Sequence, residues 1–152
     1  MMIWIDADAC PKMVKEIIFN ASIKRSVPVT LVANSNMFIP MSPLISITVV
    51  EDGLDVADKF IVDNCKIGDL VITADIPLAS FVVDKGVVAI NPRGDVYTEE
   101  NVKEVLATRN LMQDLRSFGE LRGGPPPLGP KDKAKFASGF DRELTRLLKK
   151  DR

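Results

Sequence analysis

The sequence contains no histidine. That absence removes Ser-His and Cys-His catalytic pairs, histidine-ligated zinc and the usual general base near neutral pH. Hydrolytic chemistry here would have to rest on carboxylates, lysine or a metal-activated water. The two cysteines, Cys10 and Cys65, cannot build a disulfide framework. They also lack the spacing of a zinc or redox pair and suit a reducing compartment. Cys10 falls near an expected helix N-terminus, where a thiol pKa can drop, but buried packing is the expectation. Trp4 and Tyr97, the single tryptophan and tyrosine, are the only large aromatics with polar handles; Trp4 reads as core and Tyr97 as a weak stacking candidate. The formal net charge of −1 announces no nucleic-acid partner from the whole-molecule field. Local basic patches stay open. No apolar run is long enough to cross a bilayer. The N-terminal apolar stretch is interrupted by Asp6 and Asp8 too soon for a signal peptide. The expectation is a cytoplasmic protein with no membrane association.

What is present is ordinary globular composition over 152 residues, enough for one domain with a substantial core. Short apolar runs over 2–5, 29–33, 45–50, 70–73 and 87–90 read as strands. Between them, Val14, Ile17, Ile18 and Ala21 recur at helical spacing. Asp55 to about Cys65 and Pro77 to Lys85 behave likewise. Near-continuous apolar strands alternating with helices predict an α/β three-layer sandwich around a mostly parallel sheet of about five strands. A further helix is expected from the Thr98-Glu99-Glu100 start towards Phe118. The glycine-proline run 121–131 reads as a linker or a loop draped over the body, beyond an α/β domain of 1–120. Residues 132–152 predict an amphipathic helix on the same domain, with Phe136, Phe140, Leu144, Leu147 and Leu148 on its apolar side.

The acids carry the functional signal. Strand one ends on Asp6 and Asp8 and strand four on Asp75, which a parallel sheet places on one rim. Asp55 and Asp58 lie three apart at a helix start facing that rim. Each has a plainer reading. Asp6 or Asp8, Asp55 and Asp75 can be N-caps, and Asp58 an N3 partner. Asp52, Asp63, Asp69, Asp84 and Asp95 read as turn or surface residues. Convergence of several carboxylates on one volume makes sense mainly around a divalent cation, Mg or Mn. Such a site supports hydrolysis of a phosphodiester. Thr73 can orient a phosphate or water, with strand packing as its alternative role.

The runs Ile5-Asp6-Ala7-Asp8-Ala9-Cys10-Pro11, Val32-Ala33-Asn34, Gly53-Leu54-Asp55-Val56-Ala57-Asp58, Gly68 to Ala79 and Asn91-Pro92-Arg93-Gly94 resemble the bacterial YaiI/YqxD family. Tyr97-Thr98 and Gly123-Gly124-Pro125 extend the likeness over nearly the whole chain. It is weakest in the final helix and in the loop from Asn36 to Leu44. The family is functionally uncharacterised, and its domain is similar to the PIN-like and NYN nuclease superfamily. That similarity implies metal-dependent cleavage of RNA. Asp6, Asp55 and Asp75 then match the catalytic acids, with Asp8 and Asp58 as additional ligands. PIN nucleases often place a glutamate where this chain offers Asp55 or Asp58, which leaves open which of the two binds metal.

A nuclease also needs cations and polar groups near phosphates. Lys12 and Lys15 open the first helix, Asn34 ends strand two, and Asn91 and Arg93 follow strand five. Arg93 is the expected phosphate clamp, with Arg109, Arg116 and Arg122 further candidates; solvated surface charge is the alternative for each. The leading expectation is a ribonuclease-like hydrolase acting on single-stranded RNA, with homo-oligomerisation possible. A haloacid dehalogenase-like phosphatase, with Asp6 as nucleophile, Asp8 as acid/base and Thr73 as phosphate binder, is the second. A non-catalytic RNA- or partner-binding module is the third.

Overall fold

A computed structural model describes residues 1–53, 55–117 and 128–150, apart from the side chains of Arg116 and Ser117. The elements are β1 (Ile3–Asp6), α1 (Lys12–Arg25), β2 (Val29–Ala33), β3 (Ile45–Val49), α2 (Val56–Asn64), β4 (Leu70–Ile72), α3 (Ile76–Asp84), β5 (Val88–Ile90), β6 (Val96–Tyr97), α4 (Val102–Ser117) and α5 (Pro130–Lys150). The sheet order is β3-β2-β1-β4-β5-β6. All neighbours pair in parallel except β5 and β6. The sixth strand is an addition to the roughly five expected. Its two residues are too few to show a period of two.

Alternation along β1 assigns the two faces. Ile3 and Ile5 join Val29, Leu31, Leu70 and Ile72 in a core covered by α1 and α5. Trp4 joins Val32 and Val71 in a second core with residues of α2, α3 and α4. Both faces are therefore apolar, which is why β1, β2 and β4 lack an alternating pattern. The expected apolar side of the last helix is seated in the first core through Phe136, Phe140, Leu144 and Leu147. Phe136 and Phe140 stack with ring centroids 5.4 Å apart. Helix α5 begins at Pro130, so the end of the expected loop is helical. The rest of that loop, to residue 127, lies outside the described residues.

Asp69 closes a turn, as expected, its amide donating to the Lys66 carbonyl, but it is not a surface residue. It is buried and accepts from the Met2 amide at 2.9 Å, the Trp4 indole at 3.0 Å and the Lys66 amide at 2.9 Å. The turn after β5 is also structural. Asn91 Oδ1 accepts from the amides of Arg93 and Asp95, and Nδ2 donates to Asp95 and the Tyr97 hydroxyl. Gly94 has φ +90°, and a Cβ there would stand 2.7 Å from the Lys135 backbone. The turn and α5 touch backbone to backbone. Gly94→Ala is expected to cost about 2–4 kcal/mol, combining a left-handed backbone with an overpacked contact. Urea unfolding checks this; a loss below 1 kcal/mol, roughly the ordinary cost of a point substitution, would mean α5 shifts freely.

Candidate active site at the carboxyl rim of the sheet

The parallel sheet brings the ends of β1, β2 and β4 to one rim, with β1 and β4 at the centre. Chain leaves β1 towards β2 on one side and reaches β4 on the other, so this is the topological switch point. The period of two puts Asp6 on the face of Trp4, and Thr73 on the face of Val71. That face is the one α2 and α3 cover, so strand acids and helix N-termini meet there.

Asp6 is 7 % exposed and Thr73 1 % exposed. Thr73 Oγ1 donates to Asp6 Oδ2 at 2.9 Å and accepts from the Asp75 amide at 2.9 Å. Asp75 in turn caps α3, its Oδ1 accepting from the Leu78 amide at 2.9 Å. The expected N-cap role of Asp75 is thus real, and it still faces its acidic neighbours. Asp8 is exposed on a single 3₁₀ turn, and its Oδ2 accepts from the Asn34 amide at 3.0 Å. Asn34 contributes its backbone there, which ties the end of β2 to the acidic rim.

Asp55 opens α2 in the left-handed conformation, φ 64°, without a side-chain capping bond. Aspartate tolerates that region better than most residues, and such conformations gather at functional sites. Asp58, one turn further, is the more perturbed. Burial pushes its carboxyl up to about 7, helped by the charges of Asp75, Asp6 and Asp55 and by a hydrogen bond shared with Asp75. Burial likewise raises Asp6, partly offset by the Thr73 hydroxyl and reinforced by Asp75 and Asp8. The carboxylates therefore sense one another electrostatically. Among the described residues, no group of three or more acidic or cysteine side chains stands arranged to hold a metal ion. The hydrogen bond with Asp75 favours the protonated form of Asp58, which lowers the negative charge of the cluster by one.

That proton has a measurable consequence. The folded state holds it more tightly than the unfolded chain, where aspartate titrates near 3.8. Its contribution to stability is complete below that value and is lost as pH rises through about 7. In chelator, stability is expected to fall by about 1–2 kcal/mol across this window, the shift being discounted for solvent screening. Asp58→Asn is expected to flatten the slope and raise the melting temperature at alkaline pH. Melting curves across the window decide; an unchanged slope in the variant would separate Asp58 from it.

The other expected residues distribute differently. Lys12 is exposed at the start of α1. Lys15 is half-buried, its ammonium 3.4 Å from the Met37 sulfur. Cys10 is buried, and its thiol is pushed up to about 12 by desolvation, so the packing expectation holds and not the activated thiol. Arg93 pairs with Asp132 at 3.2 Å, which ties the turn after β5 to α5. Asn91 is committed to its turn. Arg109 lies on α4, its guanidinium bonded to Asn110 at 3.2 Å. Arg116 also lies on α4, its side chain outside the described residues, as is Arg122. The bonds that sequence reasoning missed are Thr73 to Asp6 and Asn34 to Asp8. The Thr-x-Asp spacing at the end of β4 was the available signal for the first.

A doubly covered, mostly parallel α/β sheet with an aspartate cluster at its switch point defines the class of protein. The chain matches, over residues 4–146, the family described as uncharacterised BCR, YaiI/YqxD family, and belongs to it. Relatives named UPF0178 protein include one from Maridesulfovibrio salexigens, 56 % identical over 97 % of this chain and 98 % of its own. Another, from Citrifermentans bemidjiense, is 55 % identical over 100 % and 99 %. A third, from Shewanella amazonensis, is 52 % identical over 98 % and 100 %. No solved structure matches the chain. Among the described residues, no helix is long and apolar enough to cross a membrane.

Proposed function

We propose that this protein is a metal-dependent hydrolase of phosphodiester bonds, with single-stranded RNA as its substrate. The observation that supports this most is the cluster of Asp6, Asp58 and Asp75, in which Thr73 links the Asp6 carboxylate to the Asp75 backbone and the Asp58 carboxyl is displaced to about 7. The donor chemistry is all-oxygen and acidic, as hard cations require. Asp6, Asp58 and Asp75 would hold Mg or Mn in place of the Asp58 proton, with Asp8 and Asp55 at the margin. A cation bound there supplies charge stabilisation at the phosphoryl group and a lowered pKa for water.

The chain's own groups do the positioning. The Thr73 hydroxyl fixes the rotamer of Asp6, and its other bond holds the Asp75 backbone in register with it. The α2 and α3 helices, both starting at the rim, present Asp58 and Asp75 from fixed elements. Lys12, exposed at the start of α1, would supply positive charge for substrate phosphates. Asp8, engaged with the Asn34 amide, is poorly placed as the acid/base partner that the phosphatase alternative needs.

The test is cleavage of labelled single-stranded RNA by the full chain with Mn or Mg, and with chelator. Cleavage that needs the metal is expected. A folded protein that cleaves neither RNA nor DNA would overturn the reading. Phosphate release from small monoesters with a phosphorylated Asp6 would replace it with the phosphatase.

A further inference from the structure

Strand β3 is the outermost strand on its side of the sheet. Natural sheet edges are blunted by lysine, proline, bulges or shortness. The opposite edge, β6, has two residues. In contrast, Ile45-Ser46-Ile47-Thr48-Val49 carries no charge, proline or glycine, and all of it is paired in regular register with β2.

The direction of its peptide groups follows from the bonds at its ends. The Val29 amide donates to the Leu44 carbonyl and the Val50 amide to the Ala33 carbonyl, each at 2.8 Å. Even-numbered residues therefore turn their peptide groups inward to β2, and Ile45, Ile47 and Val49 turn theirs outward. The Ile45 amide closes a turn onto the Ser42 carbonyl. Among the described residues, the amides of Ile47 and Val49 find no backbone acceptor. Val49 is 51 % exposed. The segment that enters the strand carries Phe38, 93 % exposed, and a fully exposed Met41.

We propose that this edge pairs with the same edge of a second copy of the chain, antiparallel about a two-fold axis at Ile47, joining the two sheets into one. The inference is independent of what the acidic site does. The strand is self-complementary under that reversal. Ile47 falls opposite the partner's Ile47, and Ile45 opposite the partner's Val49. Every outward residue then faces an outward residue, so each such pair is of the hydrogen-bonded type. The Ile47 amide donates to the partner's Ile47 carbonyl, and the Val49 amide to the partner's Ile45 carbonyl; symmetry makes each bond twice. Apolar side chains continue one face, and Ser46 beside the partner's Thr48 continues the other.

Charge agrees with this register. Glu51 falls opposite the partner's Pro43 and Asp52 opposite the partner's Ser42, so no acid faces an acid. A slip by one residue would set outward peptide groups against inward ones and lose the ladder. An isologous pairing of this kind closes at the dimer and leaves β3 no free edge.

The test is the solution mass of the full chain from micromolar to millimolar concentration, with hydrogen exchange along the series. Wild type is expected at twice the 16.7 kDa chain mass, and the Ile47 and Val49 amides to gain protection as concentration rises. Val49→Lys and Val49→Pro are each expected to raise the dissociation constant by at least about tenfold, with far-UV spectra unchanged. Proline is informative because the amide it removes points away from β2. A wild type that stays monomeric overturns the proposal. So does a dimer in which those amides exchange freely, or one that both variants leave intact. The exchange measurement needs no variant and stands even where one fails to fold.

Discussion

Asp6→Asn is expected to slow RNA cleavage by about a thousandfold while RNA affinity and the fold stay near wild type. Asparagine has the shape of aspartate and keeps an oxygen to accept from Thr73 Oγ1. What it loses is charge, in a place where burial and neighbouring acids already penalise charge. The variant is therefore expected to melt at the wild-type temperature or slightly above it. Lost activity with retained or increased stability is the pattern of a group whose charge serves a ligand and not the fold. Asp75→Asn is expected to behave alike, because asparagine caps helices about as well as aspartate. Thr73→Val is different in kind. It leaves every carboxylate in place and removes the hydroxyl that links the Asp6 carboxylate to the Asp75 backbone, so a smaller loss, about tenfold, is expected at unchanged metal requirement. Single-turnover cleavage rates, fluorescence polarisation with labelled RNA and melting curves together decide. An Asp6→Asn protein that cleaves at the wild-type rate would remove Asp6 from the chemistry.

How far the sequence could be read depended on whether a residue's partners were near it in the chain. The first five strands, the helices and the common rim followed from local apolar runs, their periodicity and capping residues. Asp6 and Asp75 were legible because they stand at strand ends, whose place is set by topology alone. The different surroundings of Asp55 and Asp58 were not legible. Asp55 is left-handed and exposed at the start of α2, whereas Asp58 is half-buried with a hydrogen bond to Asp75. Arg93 was expected at a phosphate because it follows a strand on the correct rim. Its partner, Asp132, arrives from 39 residues further on, on a helix docked by the close contact at Gly94. Asp69, in a glycine-containing turn, looked like surface for the same reason, since two of its three donors lie 67 and 65 residues back.

Asp69→Ala is expected to be among the most destabilising single changes in the chain, at about 3–5 kcal/mol. Alanine would strand three N–H groups that converge on one buried carboxylate. A buried donor left without an acceptor costs about 1–3 kcal/mol, and the half-buried Met2 amide recovers part of that from water. For a chain of this length the melting temperature should fall by about 10 °C or more. Asp69→Asn keeps one oxygen but points an amide at a donor, so an intermediate loss is expected. The position matters for function through register. Asp69 joins the start of β4 to the amide of Met2 and the indole of Trp4, at the beginning of β1. The other ends of the same two strands carry Thr73 and Asp6, whose bond assembles the acidic cluster. One pair of strands is thus pinned at one end for stability and used at the other for chemistry. Well below its melting temperature, Asp69→Ala is expected to retain cleavage per folded molecule within about threefold, since the ladder between β1 and β4 still sets the register. A loss as deep as that of Asp6→Asn in protein shown to be folded would mean that the pin at Asp69, and not the strand ladder, holds the acids in place.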